Sequence, residues 1–185
     1  LKPPLLYRVS FIFLFMIGGL SGITLGSLAT NVHLHDTSFV VAHFHYIIFG
    51  GMGFAFFAGI HYWYPKMFGR MYNIKFANIS WAVIFFGFNL LYFPLFVIGI
   101  MGMPRRYNDY LPQFYEGHLL SSIGAFILIV GIIMMLFNLF YNRRKGPIAS
   151  MNPWRGRTLE WEIPSPPPKE NFDEIPVVTG RPYKY

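Results

Sequence analysis

The sequence predicts an all-α membrane protein with four transmembrane helices and an extended C-terminal tail. Of its 185 residues, 54% are hydrophobic, 20% are aromatic and only 12% are charged, about half the charged fraction usual in soluble domains. No charged residue occurs from Phe76 to Pro104 or from Gly117 to Asn142. Helices are expected because unpaired backbone groups cannot face lipid, and because these runs lack the alternation of barrel strands.

Four apolar segments are long enough to span a hydrocarbon core about 30 Å thick, which needs roughly 20 helical residues. The first is predicted over residues 9–29 and the second over 39–64. The third is predicted over 79–101 and the fourth over 119–141. Residues 1–145 therefore form the predicted helical region.

The composition changes at Gly146, where a tail over 146–185 begins. The segments NPWRGRTLEW and IPSPPPKENF are rich in proline and charge, and they contain no apolar run long enough for a core. Repeated prolines favour polyproline-like or irregular backbone. We expect the tail to lie on the inner membrane surface or against another subunit.

The basic residues predict the orientation of the helices. The net charge is +7, and the Lys and Arg residues lie at the ends of the spans, which is typical of a membrane protein rather than of a nucleic-acid-binding surface. Three basic clusters fall on one side: Lys2 and Arg8; Lys66, Arg70 and Lys75; Arg143, Arg144 and Lys145. Both termini are therefore expected on the cytoplasmic side of a bacterial inner membrane, or on the matrix side of a mitochondrial inner membrane.

The stretch HDTSFVVAHFHY, residues 35–46, places His43 and His45 inside the second span. An ionisable side chain within a membrane span usually faces the bundle interior or a cavity and suggests a functional site. Positions two apart lie about 200° apart around a helix, so one metal ion cannot readily bind both imidazoles. The pair thus indicates two sites, one on each side of the helix. The alternative is that both histidines form hydrogen bonds between helices.

Two haems, each with an axial imidazole, would account for one histidine on each face. Glycine runs nearby, GGLSGITLG and GGMGFAFFAG, are compatible with the close approach of a flat group. Close packing of helices through small residues is the favoured explanation for the glycines alone.

Two further pairs of residues lie at the predicted outer ends of the spans. His35 and Asp36 provide an imidazole and a carboxylate beside the second span, a donor set that can bind Mg²⁺ with water. Alternatively, Asp36 and Thr37 only cap the helix. Arg105 and Arg106, in GMPRRY, have the planar guanidinium groups that bind carboxylates such as haem propionates. Lipid headgroup phosphate is their other possible partner.

The remaining histidines carry weaker signals. His61 belongs to HYWYP at 61–65, a composition typical of an aromatic belt at the membrane interface. His33 is expected to be an interfacial polar residue, and His118 is expected to be structural. The chain contains no cysteine, which excludes disulfides and thiolate metal sites.

Two of these motifs resemble a known family. HDTSFVVAHFHY closely resembles the signature of subunit I of the haem–copper terminal oxidases, and GMPRRYNDY resembles its propionate-binding loop. The resemblance extends over nearly the whole chain, including SSIGAF and the NPW…LEW…PSPPP tail. It implies that the four spans are the last four of a twelve-helix bundle. The chain departs from the family pattern at Asn31, where many members carry an acid.

The resemblance also implies roles for individual residues. His43 would be the axial ligand of the high-spin haem and the residue that takes part in catalysis, and His45 would be an axial ligand of the low-spin haem. Phe44 would lie between the two haems. Arg105 and Arg106 would hold haem propionates, whereas His35 and Asp36 would bind Mg²⁺.

The function implied by the resemblance is that of a proton-pumping cytochrome c oxidase, which passes electrons from cytochrome c to O₂ and forms water. Its cofactors would be two haems, expected to be of the A type, copper and Mg²⁺. The copper ligands would lie in the N-terminal part of subunit I, so this chain alone would not be catalytically complete. The expected partners are that N-terminal part, subunits II and III, cytochrome c and membrane lipid.

A different class of function remains open at this point. A small membrane cytochrome could relay electrons through His43 and His45 without catalysing a reaction. Such a module would need further haem ligands from other helices, yet the other three spans contain no interior histidine. An assembly protein without a cofactor would leave the paired histidines unexplained.

Overall fold

The computed structural model describes residues 1–172 and 176, and the regular structure within them is helical. Four helical segments are long and apolar enough to cross a membrane. The predicted fold class, an all-α membrane protein with four spanning helices, is therefore confirmed. The predicted tail continues through residues 173–175 and 177–185, which lie outside the described residues.

Among the described residues, the four spans are built from five α-helices and one π-helical segment, and a sixth, short α-helix lies between the first two spans. The first span is a single helix, and the second combines two α-helices with the π-helical segment between them. The order is α1 Pro3–Gly26, α2 Leu28–Leu34, α3 Ser38–His45, the π-helix Tyr46–Gly53, α4 Phe54–Phe68, α5 Ile74–Ile100 and α6 Tyr115–Lys145. Short 3-10 turns lie at Pro112–Phe114 and Leu159–Trp161.

Most helix ends lie several residues beyond the predicted spans because capping, not hydropathy, ends a helix. The proline pair that opens α1 suits the first helical turn, where an N–H is not needed. The Asn73 side chain accepts a hydrogen bond from the Phe76 N–H at 3.0 Å and so caps α5. Gly69, with φ of 65°, ends α4 in the left-handed conformation that glycine tolerates best.

The helices pack through small residues and a continuous apolar core. Gly87 of α5 lies directly against α6, where a Cβ added to it would come within 2.6 Å of the Leu128 nitrogen. Gly50 in the π-helix lies against Leu14 of α1, where an added Cβ would come within 2.9 Å. Here the glycines serve helix packing, the explanation favoured from the sequence. Among the described residues, the hydrophobic ones with 0% exposure are Tyr7, Leu14, Ala42, Tyr46, Phe54, Ala77, Ile84 and Phe88.

Large apolar side chains also face outward along all four spans. Examples are Ile23 of α1, Phe56 of α4, Phe86 of α5 and Phe126 of α6, all more than 60% exposed. Such a surface needs lipid or further helices against it. The four helices are therefore suited to form part of a larger bundle.

Both termini of the helical region lie at the same end of the bundle. Lys2 Nζ donates a hydrogen bond to the Pro153 carbonyl at 2.9 Å. Asn78 Nδ2, near the start of α5, donates to the Leu1 carbonyl at 3.2 Å. The tail begins at this end, where Arg70 donates to the Gly146 carbonyl at 2.6 Å.

Lys66 attaches the tail to the end of α4. Its buried ammonium donates hydrogen bonds to the carbonyls of Met151 at 3.2 Å, Ile163 at 2.7 Å and Pro164 at 3.5 Å. The same group lies 5.0 Å from the centre of the Trp161 ring, within the range of a cation–π contact. One side chain thus holds two separate stretches of the tail.

Replacing Lys66 by methionine is expected to loosen the tail. Methionine keeps the apolar stem but leaves the three carbonyls without their donor, so we expect a loss of about 2 kcal/mol in the stability of the docked tail. Limited proteolysis after residue 146 should become faster, and the melting temperature should fall. Lys75→Met, at an exposed position near the same end, is the matched control. Equal proteolysis rates in the two variants would contradict this role for Lys66.

Candidate functional site

The HDT segment and the MPRR loop, predicted from separate parts of the sequence, lie side by side in the structure. The Ser38 N–H donates to the Met103 carbonyl at 2.8 Å, and the Arg105 N–H donates to the Asp36 carbonyl at 2.9 Å. Thr37 is the N-cap of α3, since its side chain accepts a hydrogen bond from the Phe39 N–H at 3.3 Å. Backbone pairing therefore holds the MPRR loop against the capped start of α3.

The charged side chains of the two segments also meet. The Asp36 carboxylate forms an ion pair with Arg105, and its second oxygen lies 3.5 Å from His35 Nε2. His35 and Asp36 are both exposed, whereas the Arg105 side chain is only 24% exposed. Arg105 Nε is buried without a hydrogen-bond partner among the described residues, so this guanidinium retains an unused donor. Arg106 is exposed beside it, in a left-handed conformation.

His43, near the end of α3, faces α1. Its Nδ1 lies 3.0 Å from the Gly18 carbonyl oxygen and 3.0 Å from Ser21 Oγ. The Cε1 corner of the ring lies against Gly22, because a Cβ added there would come within 2.9 Å of His43 Cε1 and 3.7 Å of both Nδ1 and Nε2. α1 therefore holds the Nδ1–Cε1 side of the ring, and Nε2 also lies near Gly22.

His45 faces α5 instead. Its Nδ1 lies 2.8 Å from the Val41 carbonyl oxygen one turn earlier in the same helix. The ring stacks on Tyr92 of α5, with centroids 4.1 Å apart and an interplanar angle of 17°. Phe44, between the two histidines, has its ring centroid 4.3 Å from that of His45. The two imidazoles thus contact different neighbouring helices, as their spacing predicted.

The two imidazoles fit the requirements of axial haem ligands. Within residues 1–172 and 176, the hydrogen bonds of each ring involve only Nδ1, which leaves both Nε2 atoms available for iron. Metal-bound histidines usually donate the other ring nitrogen to a carbonyl or carboxylate, which fixes the tautomer and the ring orientation. Both rings are partly exposed. The iron bound by each ring would need a further ligand from outside the described residues, or would keep one position open.

Few side chains are available to bind Mg²⁺. In the described part of the chain, no group of three or more acidic, histidine or cysteine side chains converges on one point. His35 Nε2 and an Asp36 carboxylate oxygen, 3.5 Å apart, are close enough to share an ion, and Mg²⁺ in proteins often has few side-chain ligands and several waters. The pair is therefore compatible with part of a magnesium site.

The other histidines lie apart from these groups. His61 is fully buried and stacks on Tyr7 of α1 with centroids 4.8 Å apart, so it belongs to the bundle interior and not to a lipid-facing aromatic belt. Trp63, which is 50% exposed, is the member of HYWYP that faces outward. His118 stacks on Tyr110 at 4.1 Å, and His33 is exposed.

Sequence reasoning did not identify Ser21 and Tyr92 as neighbours of the histidines. Ser21 lies within the glycine run GGLSGITLG, and Tyr92 is one of several aromatic residues in the third span. No spacing within a single segment could have indicated either contact, because each depends on how two helices are rotated against each other. The serine in a glycine run facing a histidine-bearing helix was the only available signal.

Comparison with known proteins places this geometry in a family. The family profile described as "Cytochrome C and Quinol oxidase polypeptide I" matches residues 1–148. Cytochrome c oxidase subunit 1 of Thermostichus vulcanus is 44% identical over 185 residues, which are 100% of this chain and 34% of the relative. Cytochrome c oxidase subunit 1 of Bacillus subtilis strain 168 is 46% identical over 179 residues, 95% of this chain and 29% of the relative.

A solved structure has a similar arrangement of helices. A haem–copper terminal oxidase dimer determined by cryo-electron microscopy matches with a TM-score of 0.70 and 25% identity, over 80% of this chain and 28% of the other. The chain thus spans about a third of the length of the curated relatives it matches. On the profile match, the identity to the curated relatives and the structural similarity, the chain belongs to the family of cytochrome c and quinol oxidase subunit I, the haem–copper oxidases.

Proposed function

We propose that this chain provides axial ligands to two haems in the catalytic subunit of a cytochrome c oxidase, with His43 at the high-spin haem and His45 at the low-spin haem. One observation carries the proposal. The two histidines of one helix each have Nδ1 next to a backbone carbonyl, at 3.0 Å and 2.8 Å, while both Nε2 atoms are free within the described residues. The family relationship supports the assignment of haem and copper chemistry to the assembled protein.

The residues of this chain would act mainly by orientation. When bound, the two haems and copper supply electron transfer and the reduction of O₂ to water. His43 would hold its Nε2 beside Gly22 of α1, because Gly18 and Ser21 fix its Nδ1. His45 would hold its Nε2 towards the α5 side, where Tyr92 stacks on the ring. Phe44 would separate the two positions with an apolar ring.

The residues at the end of the bundle opposite the tail would bind the charged periphery of the site. Arg105 and Arg106 would hold haem propionates, and the unused Arg105 Nε donor supports this role. His35 and Asp36 would contribute to a Mg²⁺ site. The ion pair between Asp36 and Arg105 would then join the metal position to the propionate position. A change of charge at the metal position would therefore change how strongly Arg105 holds a propionate, and the reverse would also hold.

Further parts of the proposal concern the whole protein. The remaining two thirds of subunit I would supply the copper ligands and the second ligand of the low-spin haem. Subunits II and III would complete the complex, with cytochrome c as electron donor and proton pumping coupled to turnover. The positions of the basic residues support an orientation with both termini on the cytoplasmic or matrix side, and the tail would lie on that side.

A visible spectrum of the purified complex, combined with pyridine haemochrome analysis, tests the proposal. Two haems per complex are expected, one low spin and one that binds CO after reduction. Only low-spin haem, without CO binding, would favour an electron-transfer module. A native complex that contains this chain but no haem would contradict both functions.

A further inference from the structure

Three atoms around the ring of the proposed high-spin haem ligand, His43, form a closed hydrogen-bonded triangle. Ser21 Oγ lies 2.8 Å from the Gly18 carbonyl oxygen and 3.0 Å from His43 Nδ1, and His43 Nδ1 lies 3.0 Å from the same carbonyl oxygen. Ser21 is 8% exposed. The hydroxyl is therefore enclosed between α1 and the imidazole of α3.

The chemistry of the three groups permits one consistent placement of protons. A carbonyl oxygen only accepts hydrogen bonds, so the short distance to Gly18 requires a proton on His43 Nδ1. Ser21 then accepts from that N–H through Oγ and donates its own proton to the Gly18 carbonyl. In the neutral imidazole, Nε2 is left without a proton and is able to bind a metal.

Ser21 does more than fill space beside the ring. The N–H of His43 has two neighbouring acceptors on α1, the Gly18 carbonyl and Ser21 Oγ, and together they limit rotation of the imidazole about its Cβ–Cγ bond. Gly22 closes the adjacent corner of the ring, where there is no room for a Cβ. Because the hydroxyl also donates to the carbonyl, its oxygen becomes a better acceptor through polarisation along the hydrogen-bond chain.

We infer that Ser21 is a positioning residue that orients the His43 imidazole and increases the electron density on its Nε2. The inference rests on the proposed function of His43 as an axial haem ligand. A hydrogen bond from Nδ1 raises the basicity of a metal-bound histidine, and partners of this kind typically contribute about 10- to 100-fold to metal affinity or activity. Ser21 is one of two acceptors, so its effect belongs at the lower end of that range.

The experiment compares Ser21→Ala, Ser21→Thr and Thr24→Val in the assembled oxidase. Thr24 is a matched control because it lies one turn further along α1, and its hydroxyl donates to the Leu20 carbonyl at 3.2 Å without contacting His43. Resonance Raman spectra of the reduced complexes report the iron–histidine stretch of the high-spin haem. Dilution into a haem acceptor followed by haemochrome analysis reports how tightly that haem is held.

Ser21→Ala should shift the iron–histidine stretch to lower frequency and weaken retention of the high-spin haem by about 10-fold. Ser21→Thr, which keeps the hydroxyl, should restore both values, and Thr24→Val should leave them unchanged. The low-spin haem of each sample shows whether the complex has assembled. If the alanine variant does not assemble, Ser21→Cys replaces it, since a thiol has similar volume but is a much weaker donor and acceptor.

Two outcomes separate this inference from the proposed function. An unchanged stretch and unchanged haem retention in Ser21→Ala or Ser21→Cys, with the high-spin signal still lost in His43→Ala, would overturn the role of Ser21 alone. A high-spin iron–histidine band that survives in His43→Ala would overturn the assignment of His43, and with it the role inferred for Ser21.

Discussion

Replacing His43 by alanine is expected to abolish the CO-binding haem signal of the assembled oxidase while the low-spin haem remains. The imidazole is the only group of this chain that the proposal places on the high-spin iron. Loss of a hydrogen-bond partner of a metal ligand lowers metal affinity or activity by about 10- to 100-fold. Loss of the ligand itself should therefore weaken haem retention by more than about 100-fold. CO difference spectra and haemochrome counts measure both effects.

The control for this variant is His33→Ala, which removes an exposed histidine from the short helix α2. It should retain both haem signals.

Addition of free imidazole to a His43→Gly variant should restore part of the CO signal, because the opened space next to Gly18 and Ser21 can accept the small ligand. A full CO signal in His43→Ala, with normal haem content, would contradict the proposed role of His43.

Replacing His45 by alanine is expected to have the opposite spectral effect. The low-spin haem should be lost or become high spin, since its iron would keep only the ligand supplied by another segment. The CO-binding haem should remain, and oxygen consumption with reduced cytochrome c should fall by more than about 100-fold, because losing only a hydrogen-bond partner of a metal ligand already costs about 10- to 100-fold. Absorption and magnetic circular dichroism spectra of the oxidised complex distinguish the two spin states.

The two variants together also test whether His43 and His45 serve separate haems on opposite sides of one helix. His43 contacts α1 and His45 stacks on α5, so each substitution should affect one haem. Loss of both haems in each single variant, with an intact complex, would show that the two positions are not independent. A CO signal that disappears in His45→Ala but persists in His43→Ala would reverse the assignment.

Much of the fold could be predicted from the sequence because the membrane imposes one-dimensional constraints. Apolar runs of about 20 residues must be helical in lipid, and all four were identified. The helix ends were less predictable, since caps at Asn73 and Gly69 act outside the apolar runs. The π-helix that follows His45 has no comparable signal in composition, and its glycines were open to several explanations.

Part of the candidate site was also predictable. A helix turns about 100° per residue, so the spacing of His43 and His45 alone indicated two faces. The structure adds which helix each face meets. The spacing did not predict that Arg105 pairs with Asp36, because the two residues are separated by a complete span and a loop. The burial of His61 was missed because HYWYP has the composition of an interfacial belt.

The sequence by itself determined the number of spans, the polar residues inside them and the division between the two histidines, since these follow from hydropathy and from the period of a single helix. Only the tertiary structure decided that Ser21 reaches His43, that Tyr92 covers His45 and that Lys66 holds the tail. Those contacts depend on the rotation and depth of one helix against another. Packing sets both, and no periodicity within one segment encodes them.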